Sequence, residues 1–200
     1  MMGNRELFKK MMVYEHVYQH APMGIAILSL DRRWVEVNPA ICKMFGYSME
    51  ELSMRTTFDI TYPDDMYLTD ALVQELLNGE IENFEVEKRF VHKEGHVVWT
   101  SIHVSLLRDP ANGEPRNMIV QIIDITNNKA TEQKLIESVE RYTSLKKYNH
   151  DAIVSFGLDG NIINGNQMTE KLTGYEIPEL IGTPISRLVG KGIYEASLRM

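Results

Sequence analysis

A strict period-two alternation of apolar residues runs from Phe84 to Leu107, and no other stretch limits the fold so sharply. Val98, Thr100, Ile102, Val104 and Leu106 take one phase; Val97, Trp99, Ser101, His103, Ser105 and Leu107 take the other. A helix would scatter this pattern around its circumference, whereas a half-buried strand sorts it onto two faces. The break at Val91-His92-Lys93-Glu94-Gly95-His96-Val97 is polar and carries a late glycine able to adopt positive φ, so it reads as a hairpin turn. A long antiparallel hairpin presents a broad apolar face, and the rest of the chain must cover it.

Upstream, Leu7, Met11, Tyr14 and Tyr18 recur at spacings of four, three and four, which predicts an amphipathic helix over 5–19 that ends before Pro22. His16 and His20 have a metal-compatible spacing but no third ligand, so no metal is expected there. A strand over 24–30, a turn at Asp31-Arg32-Arg33 and a strand over 34–37 follow. Asn38-Pro39 opens a helix bearing Ala40, Met44 and Tyr47 on one face, with Gly46 placed to end it. Ser48 and Glu51 form a capping box for a short second helix. Asp64 or Asp65 is expected to cap a longer helix to about Leu77, with Thr69, Val73 and Leu76 on one face and Leu72 alongside. Beyond the hairpin come a loop at Asp109–Gly113 and a last strand over 118–125. Two strands, three helices and three strands predict an α+β layer, an antiparallel sheet with helices on one face. The first and last strands should be neighbours.

From Asn127 to Tyr148 there is neither proline nor glycine, and Leu135, Val139, Tyr142 and Leu145 form a narrow seam. Such a seam predicts a linker helix that pairs between chains, giving a homodimer. Packing on its own domain is the alternative.

The chain also repeats itself. Asp31, Asn38, Gly46, Tyr47, Glu51 and Leu52 recur 128 positions later as Asp159, Asn166, Gly174, Tyr175, Glu179 and Leu180. Ala26, Leu28 and Leu30 align with Val154, Phe156 and Leu158, so this phase of the first strand is expected to face the core. The organisation is then a helix at 1–19, a first domain at 20–126, a linker helix at 127–148 and the front of a second domain at 149–200. That second copy stops before its own hairpin, so the natural chain is expected to continue.

A net charge of −7 argues against nucleic-acid binding, and no run approaches the about 20 apolar residues of a membrane span. The lone Cys42 makes no internal disulfide and fits a reducing, cytoplasmic setting. Twelve methionines serve as core filler or as an adaptable pocket lining. Phosphate-cradling loops, nucleophile motifs and metal-ligand spacings are all lacking, so catalysis by these residues is not expected.

Taken together, the Asp31 turn, Val37-Asn38-Pro39-Ala40, Phe45-Gly46-Tyr47-Ser48 with Glu51-Leu52, Tyr62-Pro63-Asp64-Asp65, Lys93-Glu94-Gly95 with Trp99, and Asp124-Ile125-Thr126 resemble the PAS sensor family. The resemblance covers one whole PAS domain with its C-terminal PAC part over 13–126, and the front of a second from about 142. It implies a five-stranded antiparallel sheet cupping a small cavity, dimerisation, and an output domain beyond residue 200. The light-oxygen-voltage branch needs a reactive cysteine near Thr56–Thr61, and none is present; Phe90, Thr100 and Ile122 stand where that branch places flavin-binding amides. Haem-binding relatives carry a histidine on the helix at 65–77, which this chain lacks, and His92, His96 and His103 read as exposed sheet residues. Flavin and haem are therefore disfavoured. Leu28, Val37, Met44, Leu72, Leu76, Phe84, Val86, Phe90, Thr100, Ile102, Val104, Val120 and Ile122 are expected to line a cavity, either a filled core or a site for a small apolar ligand. Trp99, Val97 and Ile123 should form an apolar patch on the outer sheet face, covered by the 5–19 helix of the same or a partner chain. Asp124 and Thr126 would relay a signal into the linker helix. These features predict the sensory region of a cytoplasmic histidine kinase; the alternatives are the input of a cyclic-di-GMP synthase or hydrolase, or a ligand-free dimerisation adaptor.

Overall fold

The computed structural model describes residues 2–188. The chain divides into two units, the first running to Thr131 and the second beginning at Glu132.

The first unit opens with helix α1 (Met2–His20), then strands β1 (Gly24–Ser29) and β2 (Trp34–Val37). Helix α2 (Pro39–Phe45) starts at Asn38, whose side chain accepts from the Ile41 N–H, and stops at Gly46 in the left-handed conformation. A side chain at Gly46 would collide with the His92 ring, so both φ and space demand glycine there. Helix α2 buries Ile41 and Phe45, leaving the Ala40 and Met44 side only half-buried. Helix α3 (Met49–Ser53) carries the expected capping box between Ser48 and Glu51. Two single 3-10 turns, Phe58–Ile60 and Pro63–Asp65, precede helix α4 (Asp70–Asn78).

The single helix expected from Asp64 or Asp65 to Leu77 is therefore broken. Asp65 does not cap it; its carboxylate accepts from the Arg89 backbone N–H at 2.8 Å and from the guanidinium at 2.9 and 2.6 Å. That attachment fastens the segment to the sheet, and the helix proper begins five residues later. Its buried face is Val73 and Leu76, as the spacing implied.

Strands β3 (Asn83–Val91), β4 (Val97–Arg108) and β5 (Pro115–Asp124) complete an antiparallel sheet in the order β2-β1-β5-β4-β3. The hairpin lies in register, with Phe90 opposite Val98 and Phe84 opposite Val104. The first and last strands are neighbours, Ala26 facing Val120. One contiguous core joins Ala26, Leu28, Ile41, Phe45, Leu52, Leu76, Ile102, Val104, Val120 and Ile122. Leu30, expected on the core phase, is exposed because the strand ends at Ser29 and the chain turns through Arg32 at φ 66.

Helix α5 (Thr126–Tyr148) runs from the first unit into the second. There, β6 (Val154–Phe156) and β7 (Ile162–Gly165) form a two-stranded sheet, followed by α6 (Gln167–Thr173) and α7 (Ile177–Leu180). Ile162, Leu180 and Ile185 make its small core. Phe156 and Leu158, which share the core phase of β1 by the repeat, are exposed, since two strands offer little surface to pack on. The end of the second domain expected at 149–200 lies outside the described residues.

Candidate functional site

Beneath α4 and against the sheet lies a cavity of about 40 Å³. Leu28, Phe84, Phe90, Ile102, Val104, Val120 and Ile122 line it, as the alternation predicts. Val37, Met44, Leu72, Leu76, Val86 and Thr100 do not. Leu76 and Thr100 are buried outside the cavity wall, Val37 belongs to the core, and Met44, Leu72 and Val86 are only partly buried around it. The Thr100 hydroxyl instead donates to the Lys88 carbonyl at 2.7 Å, reinforcing the pairing of β3 with β4.

Pattern reading missed Arg32, Trp34, Thr57, Thr69, Val73, Lys88 and Met118, which complete the lining. Lys88 was detectable: it falls on the same strand phase as Phe84, Val86 and Phe90, a charge where an apolar residue belongs. Its side chain is 3% exposed. Burial, with the nearby Arg32 charge adding to it, lowers its pKa to about 8, against smaller opposing effects of Asp65 and Asp70. Arg32 binds Asp70 through Nη2 at 2.6 Å and lies over the Phe58 ring. Its Nη1 and the Trp34 Nε1 are buried without a hydrogen-bond partner.

Asp124 and Thr126 meet the sheet directly. The Asp124 carboxylate accepts from the Thr126 N–H at 2.8 Å, and the Thr126 Oγ1 accepts from the Trp99 N–H at 3.0 Å. The Ile125 N–H donates back to the Trp99 carbonyl. Lys129, one turn into α5, pairs with Glu87 of β3 at 2.6 Å and lies over the Trp99 ring. Arg89 also lies over this ring, so within one chain two cations contact Trp99. Helix α1 does not cover it: Leu7, Met11 and Tyr14 remain exposed, and the helix adjoins α2.

Along α5, Leu135, Val139, Tyr142 and Leu145 are each more than half exposed. They have not packed onto their own unit. On the hairpin turn, donor atoms of His92, Glu94 and His96 lie within 4.8 Å of one another. His92 is not the exposed residue expected; it stacks on His96, with its Nδ1 accepting from the Glu94 N–H.

A family model described as the PAS fold matches residues 35–121, and one described as a PAS domain matches 150–200. The probable diguanylate cyclase DgcE of Escherichia coli (strain K12) is 33% identical over 165 residues, 82% of this chain and 15% of that protein. The sensor histidine kinase TmoS of Ectopseudomonas mendocina is 26% identical over 122 residues, 61% of this chain and 12% of that protein. The chain thus spans a small part of the length of both curated relatives. A sensory box histidine kinase/response regulator from Burkholderia thailandensis E264 superposes with a TM-score of 0.52 at 26% identity, over 66% of this chain and 98% of that one.

Proposed function

Because the chain belongs to the PAS family, with a whole domain followed by the front of another, we propose that it is the sensory input region of a longer, cytoplasmic signal-transduction protein. The observation that carries this reading is the hydrogen bond from the Trp99 N–H to the Thr126 Oγ1. Strand β4 brings Ile102 and Val104 to the cavity and Trp99 to the start of α5. A change in the cavity that shifts β4 is thereby felt at the helix that leaves the sheet, as a two-state linker requires.

The repeat supports dimerisation through the flanking helices. Leu7, Met11, Tyr14 and Val17 of α1 stand 128 residues before Leu135, Val139, Tyr142 and Leu145 of α5, and all eight are exposed. A seam of this spacing, written twice and unburied in one chain, suits pairing with a second copy. No helix among the described residues is long and apolar enough to cross a membrane, and the lone half-buried Cys42 fits a reducing compartment.

Both expected outputs have relatives, a histidine kinase and a diguanylate cyclase, and the cyclase matches at higher identity over more of this chain. The test uses the parent protein: Val139→Glu should convert the dimer to a monomer by native mass spectrometry and abolish regulated phosphoryl transfer or nucleotide cyclisation. A wild-type monomer, or regulated output that survives the substitution, would sink the reading.

A further inference from the structure

The cavity walls are mostly apolar, yet besides the hydroxyls of Thr57 and Thr69 the polar groups facing it, Arg32, Trp34 and Lys88, carry only donors. Lys88 is 3% exposed, and its ammonium has no carboxylate partner among the described residues; it lies over the Phe90 ring, 5.4 Å from the centroid. Arg32 Nη1 and Trp34 Nε1 are buried without acceptors, Trp34 being 2% exposed. Of the two nearby acids, Asp65 is engaged by Arg89, and Asp70 pairs with Arg32 through Nη2 only, leaving Nη1 free. A buried ammonium without a counter-group and buried donors without acceptors are unfavourable, and an anion that accepts from them removes the penalty.

The backbone points the same way. Arg32 holds φ 66, and the equivalent turn 128 residues later uses Gly160 at φ 77. Glycine makes that turn without strain, whereas arginine holds it at a backbone cost, as side chains at functional sites often do. A filled core or an apolar ligand, the two alternatives the sequence left open, would leave these donors as they are.

We propose that the cavity is a carboxylate site, taking a small aliphatic acid of acetate to propionate size. The carboxylate accepts from Lys88, Arg32 Nη1 and Trp34 Nε1, and the alkyl end rests on Ile102 and Val104. A volume of about 40 Å³ sets the size, since one buried water needs roughly 10–15 Å³. The inference deepens the sensory reading and rests on it for the role of the site, though not for its chemistry.

Calorimetric titration of the full 200-residue chain with sodium propionate tests it, against propionamide and 1-propanol as neutral isosteres and sodium chloride at matched ionic strength. Propionate should bind at least about tenfold more tightly than either isostere, because hydrogen bonds to charged groups are lost with the carboxylate. Lys88→Met and Arg32→Gly should each weaken propionate about tenfold or more, the second keeping a turn that Gly160 already makes. Equal binding of the isosteres would make the cavity an apolar site, chloride matching propionate would make it an inorganic-anion site, and no heat from any of them would leave a packed core; each result overturns the proposal. Propionate binding without any change in the parent's output would reject sensing while keeping the site. Output that responds to loss of the dimer in a protein that ignores propionate would do the reverse.

Discussion

Asn38 and Asn166, 128 residues apart, make the same four side-chain hydrogen bonds to equivalent backbone atoms. The Asn38 Oδ1 accepts from the Ile25 and Ile41 N–H groups, and its Nδ2 donates to the carbonyls of Tyr18 and Met23. Asn166 does so with Ile153, Thr169, Lys146 and Asp151. One buried amide thus ties the end of a helix, the start of a strand and the cap of the next helix. Asn38→Asp keeps both accepted bonds but turns a carboxylate on two carbonyls. It should speed hydrogen exchange around Tyr18–Met23 while the β4–β5 amides stay protected. Asn38→Ala strands all four groups and should cost about 3 kcal/mol in chemical denaturation. A smaller loss than about 1 kcal/mol would show that water replaces the amide.

Asp65 and Arg89 form another long-range polar tie. Hydrogen bonds from Arg89 hold the Asp65 pKa below the ordinary carboxylate value. The stabilisation is therefore complete above the unfolded pKa and is lost as pH falls through the lower folded value. Asp65→Asn should cost about 2 kcal/mol near neutrality, with the difference from wild type closing in acid. A difference that persists below pH about 2 would locate the effect in packing instead.

Lys88 works in the opposite sense. Its folded pKa of about 8 lies below the unfolded value, so the folded state sheds its proton first. The cost of the buried charge is fully present below pH about 8 and is relieved as pH rises towards about 10.4. Wild type should gain up to about 3 kcal/mol on Lys88→Met across that window, with the advantage of the variant largest at the lower end. Denaturation curves with parallel pH dependence for both proteins would contradict this.

The start of α5 is the remaining target. Thr126→Val removes the acceptor of the Trp99 N–H, and Asp124→Ala removes the acceptor of the Thr126 N–H. Each should cost about 1–2 kcal/mol and raise exchange over the first turn of α5 before that of the sheet. In the parent protein, both should alter basal output. Unchanged output would leave Asp124 and Thr126 as local fastenings.

Strand alternation made the hairpin, its strand phase and the apolar half of the cavity legible in the sequence, because period two is fixed by the pleat. The helix caps at Asn38 and Ser48 were legible for the same local reason. What escaped reading was set by distant partners. Leu30 lost its place in the core to a turn through a left-handed Arg32, which alternation does not announce, and the helix expected from Asp64 or Asp65 was interrupted by Arg89, 24 residues away from Asp65. A search for apolar residues also passes over Arg32 and Lys88, the two cations that give the cavity its chemical character. The uncovered stripe on α1 shows a further boundary: periodicity says that a face is apolar, not what lies against it.

Helix α1 ends at His20 and α5 at Tyr148, each followed by the same asparagine fastening. Helix α5 therefore stands to the second domain as α1 stands to the first, in sequence and in its fastening.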